Sequence, residues 1–254
     1  MLRPKSARQR VRKSLLLVSF LLFPIIMNYF SPYVIIDGAS QGIVNGSLVI
    51  FGLMFLSALF VGRLWCGWLC PAGGLGEVCL SIQDRRVEGR KVDWIKWAIW
   101  LPWLAVIAWA AVAAGGYHAL DFFLDTQNGI SVAGSADRPI LFAYIIYYIV
   151  VGLFLALSLL VGRRAGCHAL CWMAPFMIAG RSLRNLAAWP SLRLQADPLV
   201  CRDCKTCTSN CPMSLDVNAM VRKSAMENTE CILCGSCVDG CPTKVIRYRF
   251  AEGK

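Results

Sequence analysis

Long apolar blocks alternate along the chain with short polar segments dense in arginine and lysine, until near residue 198 a polar stretch punctuated by cysteine takes over. The first block, LLLVSFLLFPIIMNYFSPYVII, covers 15–36, and three more cover about 43–61, 94–114 and 140–161. Such blocks predict membrane-spanning helices, because about 20 apolar residues in an α-helix match a hydrocarbon core of about 30 Å. Four spans are therefore expected in a membrane domain at 15–180, after a basic segment, 1–14, that holds Arg3, Lys5, Arg8, Arg10, Arg12 and Lys13. The charge-then-apolar order also suits a signal peptide. The block is long for one and lacks a small-x-small cleavage site, so it is read as an uncleaved first span.

Composition agrees with the pattern. With 57% hydrophobic residues and a mean hydropathy of +0.56, the chain is too apolar for a soluble domain of its length. The net charge of +11 raises nucleic acid as a partner, but the basic residues flank apolar blocks and form no aromatic-interleaved basic surface, so none is expected. Arg63, Arg85, Arg86, Arg90 and Lys91 follow the second block; Arg163, Arg164, Arg181, Arg184 and Arg193 follow the fourth. The opposite loops, about 37–42 and 115–139, carry Arg138 with Asp37, Asp121, Asp125 and Asp137. By the positive-inside rule this makes a multi-pass protein of a prokaryotic inner membrane with both termini in the cytoplasm. Arg63 and Arg163 then read as snorkelling anchors, or as partners of negative charge on a cluster, a quinone oxygen or a lipid phosphate.

The second and fourth blocks end alike, in VGRLWCGWLCPAG and VGRRAGCHALCWMAP. Each carries Val-Gly-Arg and then a Cys-x3-Cys pair, Cys66/Cys70 and Cys167/Cys171, which suggests two repeated two-span units. In a helix, cysteines at i and i+4 share a face, and two such pairs could supply four thiolates to a redox or metal site. Buried packing thiols and a reversible disulfide are the alternatives. The second copy has an extra residue before its first cysteine and Trp172 where Pro71 follows Cys70; its nearest proline is Pro175. Cys79 has no counterpart and reads as packing. His118 and His168 fall on opposite sides of the expected bilayer, which argues against a bis-histidine haem. His118 beside Asp121 reads as an exposed loop residue or part of an outer quinol site.

An amphipathic linker is expected at 181–197 and a separate domain at 198–254. CRDCKTCTSNCP and CILCGSCVDGCP both read Cys-x2-Cys-x2-Cys-x3-Cys-Pro, the bacterial ferredoxin run, in which the fourth cysteine ligates the other cluster. Carried onto this chain, Cys201, Cys204, Cys207 and Cys241 hold one [4Fe-4S] cluster, and Cys231, Cys234, Cys237 and Cys211 the other. Zinc needs no such doubled three-cysteine spacing with Cys-Pro. Leu215, Val217, Met220 and Val221 are expected to face the clusters. The expected fold is thus an α-helical integral membrane protein with four transmembrane helices and a C-terminal α+β two-cluster ferredoxin-like domain. No catalytic residues of another kind stand out.

This arrangement resembles the NapH-type ferredoxin membrane proteins, with related membrane halves in NosR, MauN and CcoG. The resemblance implies electron relay between the quinone/quinol pool and a redox partner protein, in either direction, as the electron-transfer subunit of a quinol dehydrogenase. An outer docking surface at 115–139 and a further metal or a quinone at the membrane face would go with it. A metal-handling or enzyme-maturation factor, such as a cupric reductase using the membrane cysteine pairs, is the alternative reading, and redox sensing a third.

Overall fold

The computed structural model describes residues 6–87, 92–133 and 140–253. Arg3, Lys5, Arg90, Lys91, Asp137 and Arg138 lie outside the described residues.

Ser6 accepts a hydrogen bond from the Gln9 backbone N–H and so opens α1, Ala7–Leu21. The first apolar block is not one straight span. Pro24 starts a new turn, α2, Phe23–Ile26, followed by a 3₁₀ turn at Met27–Phe30, and the segment from α1 onward bends by 59°. Proline lacks the N–H that would continue the helical ladder, which accounts for the break. Pro32 then opens α3, Pro32–Ser40.

The second block yields α4, Gly46–Val61, whose 16 residues reach about 24 Å at 1.5 Å per residue. That falls short of a full hydrocarbon core. Two helices are long and apolar enough to cross a membrane by themselves, or up to three if the bent segment counts as one span; the expectation of four independent spans is not met. The short helices α5, Leu64–Trp68, and α6, Pro71–Cys79, follow α4. The two spanning helices are α7, Ile95–Ala113, and α8, Ile140–Leu160. Trp109, Val112, Tyr148, Ile149 and Leu160 are exposed along them, as lipid-facing side chains would be.

After α8 come α9, Ala165–Ala169, and α10, Ala174–Leu186. The two halves therefore share one order: long helix, one-turn helix carrying the first cysteine, second cysteine, helix begun by proline. Pro71 starts α6, and Pro175 starts α10 three residues later in register, so the shifted proline serves the same purpose. Each proline-begun helix packs on the other half's long helix, α10 on α4 and α6 on α8. Gly62 and Gly162 end the two long helices at positive φ, 56° and 134°, a conformation glycine adopts without the Cβ clash.

At the end remote from the tail, β1, Ile43–Asn45, pairs in parallel with β2, Ala119–Asp121. The stretch read as a linker contains the end of α10 and β3, Ser191–Ala196. The tail adds α11, Thr206–Ser209, α12, Val217–Arg222, and α13, Ser236–Gly240. It ends in β4, Ile246–Ala251, antiparallel to β3 with Leu194 opposite Tyr248.

Candidate iron–sulfur site

The eight tail cysteines line two small cavities. Cys211, Cys231, Cys234 and Cys237 line one, with Leu215, Val217 and Met220 completing its apolar wall. Cys201, Cys204, Cys207 and Cys241 line the other, together with Val221. Each cavity takes three cysteines from one run and one from the other. Burial pushes the Cys211 thiol up to about 12, with neighbouring Cys234 adding to it. Such a thiol keeps its proton until a metal displaces it, so loading of the site releases protons. None of the thirteen cysteines is in a disulfide.

The second run sits against the membrane base through its backbone carbonyls. Arg63 donates to Thr229 O at 3.0 Å, Arg181 to Cys231 O at 2.8 Å, Trp68 Nε1 to Leu233 O at 3.2 Å and Gln9 Nε2 to Cys234 O at 2.9 Å. Arg163 holds the end of the first run through Ser209 O at 2.7 Å and Cys211 O at 3.2 Å. Gly67 lies flat against Ile232 O and the Cys234 backbone, leaving no room for a side chain there. By contrast Cys204, Arg202 and Lys205 are exposed, so the two cavities differ in position: one against the base, one toward solvent.

Arg63 and Arg163, expected as anchors, are instead buried, at 1% and 9% exposed. Arg164, Arg181 and Arg184 are each at most 2% exposed, as is Arg12. Glu230, just before Cys231, accepts from Arg63 at 2.8 Å and from Lys96 at 2.6 Å. Burial alone would raise its carboxyl; the two cations overrule that and hold it at about 2. On the other flank Glu77 accepts from Arg12 at 2.8 Å and Arg164 at 3.1 Å, and those cations likewise overrule burial to hold it at about 2. Glu227 binds Arg181 at 2.6 Å. The sequence showed the asymmetry of these charges but not their burial, because their carboxylate partners lie up to 167 residues away.

His168 is buried, and its Nδ1 is 2.7 Å from Asp93 Oδ1. Asp93, His168 and Glu230 bring ligand atoms within 4.8 Å of one another. The Lys96 ammonium already stands between the two carboxylates, 2.6 Å from Glu230 and 3.5 Å from Asp93, so this cluster has its cation. His118 is exposed with its Nδ1 3.3 Å from Gly116 O, and Asp121 accepts the Phe123 N–H.

Cys66, Cys70, Cys167 and Cys171 are all buried in the core beneath the second run. Burial, then neighbouring thiols, raise Cys70 and push Cys171 up to about 12. Cys79 lies in a separate apolar cluster with Leu75 and Phe154, its thiol bonded to Ser158.

Comparison with known proteins agrees with the cysteine pattern. Residues 200–246 match the 4Fe-4S dicluster domain, and residues 46–85 match a 4Fe-4S binding domain. The chain is 22% identical to an uncharacterised protein of Methanocaldococcus jannaschii, over 84% of this chain and 83% of that one. It is 23% identical to the putative electron transport protein YccM of Escherichia coli, over 83% of this chain and 57% of YccM. It is 24% identical to the methylamine utilization ferredoxin-type protein MauN of Paracoccus denitrificans, over 84% and 70%. The chain thus spans little more than half the length of YccM. No solved structure matches it. The similarity reaches the level of ferredoxin-type proteins with apolar helices, and the dicluster domain covers the tail.

Proposed function

We propose that the chain is a membrane-anchored iron–sulfur relay of the NapH type, exchanging electrons between the quinone/quinol pool and a redox partner protein through two [4Fe-4S] clusters. One observation carries the reading: the two tail cavities are lined by the two cysteine quartets that cross-ligation requires, with Cys211 and Cys241 each in the cavity of the other run. When bound, a [4Fe-4S] cluster accepts and returns one electron at a time.

The chain's own residues set the direction of the relay in space. The carbonyls at 229–234 are held by base residues, so the cavity holding Cys231, Cys234 and Cys237 is the membrane-side station. The other cavity, with exposed Cys204 beside Arg202 and Lys205, is the exit toward a cytoplasmic partner. A quinone has a candidate seat at an apolar cleft lined by Phe20, Phe23, Phe30, Pro71, Phe154 and Trp172. Pro71 and Trp172 directly follow Cys70 and Cys171, which puts that cleft next to the membrane cysteines. Four crossings remain the preferred topology. α4 runs from the β1–β2 pair to Gly62 beside Arg184, and so joins the same two ends as α7 although it is shorter. The tail and both termini are then cytoplasmic.

Paired variants test the cluster assignment. Cys211→Ser should disturb the paramagnetic signal that Cys234→Ser disturbs, and Cys241→Ser the one that Cys204→Ser disturbs. If Cys211→Ser instead groups with Cys204→Ser, cross-ligation is wrong.

A further inference from the structure

The geometry points to a third [4Fe-4S] cluster, held by Cys66, Cys70, Cys167 and Cys171 where the two repeats meet at the membrane face. The inference extends the iron–sulfur reading of the tail, which stands without it.

The four thiols come from two segments 97 or more residues apart, yet they meet in one buried core. Arg164 of the second repeat donates to the Cys66 carbonyl of the first at 3.0 Å, which locks the two segments together. Every one of the four thiols lies within electrostatic range of the other three. The matched 4Fe-4S binding segment, 46–85, contains Cys66, Cys70 and Cys79. Cys79 is the wrong third ligand, since it packs elsewhere with Ser158; the structure supplies Cys167 and Cys171 instead.

The surroundings are built for a buried anion that accepts hydrogen bonds. Among the described residues, Arg63 Nε, Arg164 Nε and His168 Nε2 are buried without a hydrogen-bond partner, and all three residues flank the cysteines. Unsatisfied buried polar atoms are uncommon in folded proteins and ask for an unseen partner. Sulfides and thiolates of a cluster would provide one. Arg63, Lys96 and Arg164, each with a side chain at most 1% exposed, act electrostatically on these thiols and would offset the negative charge of a thiolate-bound cluster.

A mononuclear zinc fits less well. Four zinc-bound sulfurs at about 2.3 Å from one ion crowd to within about 4 Å of each other. Among the described residues, the group with all ligand atoms within 4.8 Å contains no cysteine. Sulfurs that each bond a different iron stand further apart. The location also suits a relay. Gly67, next to Cys66, abuts the Cys234 backbone, and Arg164 acts electrostatically on Cys70, Cys167 and Cys234 together.

The test is iron and acid-labile sulfide per chain in the full-length protein, purified anaerobically in detergent, with Mössbauer spectra of the same samples. Wild type should hold about 12 iron and about 12 sulfide, three clusters of four. Cys66→Ser with Cys167→Ser should fall to about eight of each while the tail signals persist, and Cys79→Ala should stay at about 12. Wild type at about eight, or one zinc per chain lost with the double variant, overturns the third cluster and leaves the tail reading intact. Little or no iron in wild type overturns both. The wild-type count decides even if the double variant fails to fold.

Discussion

Replacing Glu230 by Gln removes the carboxylate shared by Arg63 and Lys96 without changing the shape of the side chain. Of the two cations, 2.8 and 2.6 Å from it and each 1% exposed, Arg63 is then left without its counter-charge and Lys96 with Asp93 alone, at 3.5 Å. The carboxyl is held at about 2 against an ordinary 4.5, a difference worth about 3 kcal/mol at 1.36 kcal/mol per pKa unit. Breaking a buried ion pair by removing one partner costs about 3–5 kcal/mol, so the two routes agree. The loss acts on how firmly residues 229–234 sit on the base. About 3 kcal/mol raises their local opening constant by about 100-fold. Hydrogen–deuterium exchange at 229–234 in the full-length protein, in detergent or nanodiscs, reads this directly. A change of less than about fivefold there would refute the idea that this buried charge pair fastens the tail.

Acid should act through the same groups. Glu77, Glu227 and Glu230 are depressed to about 2, so their stabilisation is complete above about 4.5 and is lost as pH falls toward 2. The exchange difference between wild type and Glu230→Gln should therefore shrink as pH drops from 5 to 3; a constant difference contradicts the assignment. Gly67→Ala places a Cβ against Ile232 O, and should loosen the second run at a cost of about 1–3 kcal/mol, visible as faster exchange at 232–234. Arg163→Ala removes bonds to Asp84, Ser209 O and Cys211 O, and should speed chelator-driven loss of iron from the Cys211 cavity more than from the Cys204 cavity. Equal rates would show that Arg163 only anchors the chain.

What the sequence made legible was periodic or spaced. The doubled cysteine run, the Val-Gly-Arg repeat and the apolar blocks at 94–114 and 140–161 are local patterns, and α7 and α8 match those blocks closely. The break in the first block was also written there, in Pro24 and Pro32, although the block as a whole is long enough to span. The purpose of the arginines was not legible. A run of basic residues after an apolar block looks the same whether it faces phosphate or, like Arg63 and Arg164, is enclosed with a glutamate from a distant segment. Likewise β3 looked like linker, because its partner β4 lies some 50 residues on and a two-stranded edge leaves little periodic trace.

Electron exchange with a quinone tests the central claim most directly. The full-length protein in nanodiscs, reduced anaerobically and freed of excess reductant, is mixed with a short-chain quinone while the iron–sulfur absorbance is followed. The account predicts reoxidation within seconds, two electrons and two protons converting each quinone to quinol. It also predicts marked slowing in Ala72→Trp, which fills the apolar cavity beside Pro71 and Trp172. Clusters that stay reduced in the presence of quinone, or reoxidation unaffected by closing that cavity, would contradict it.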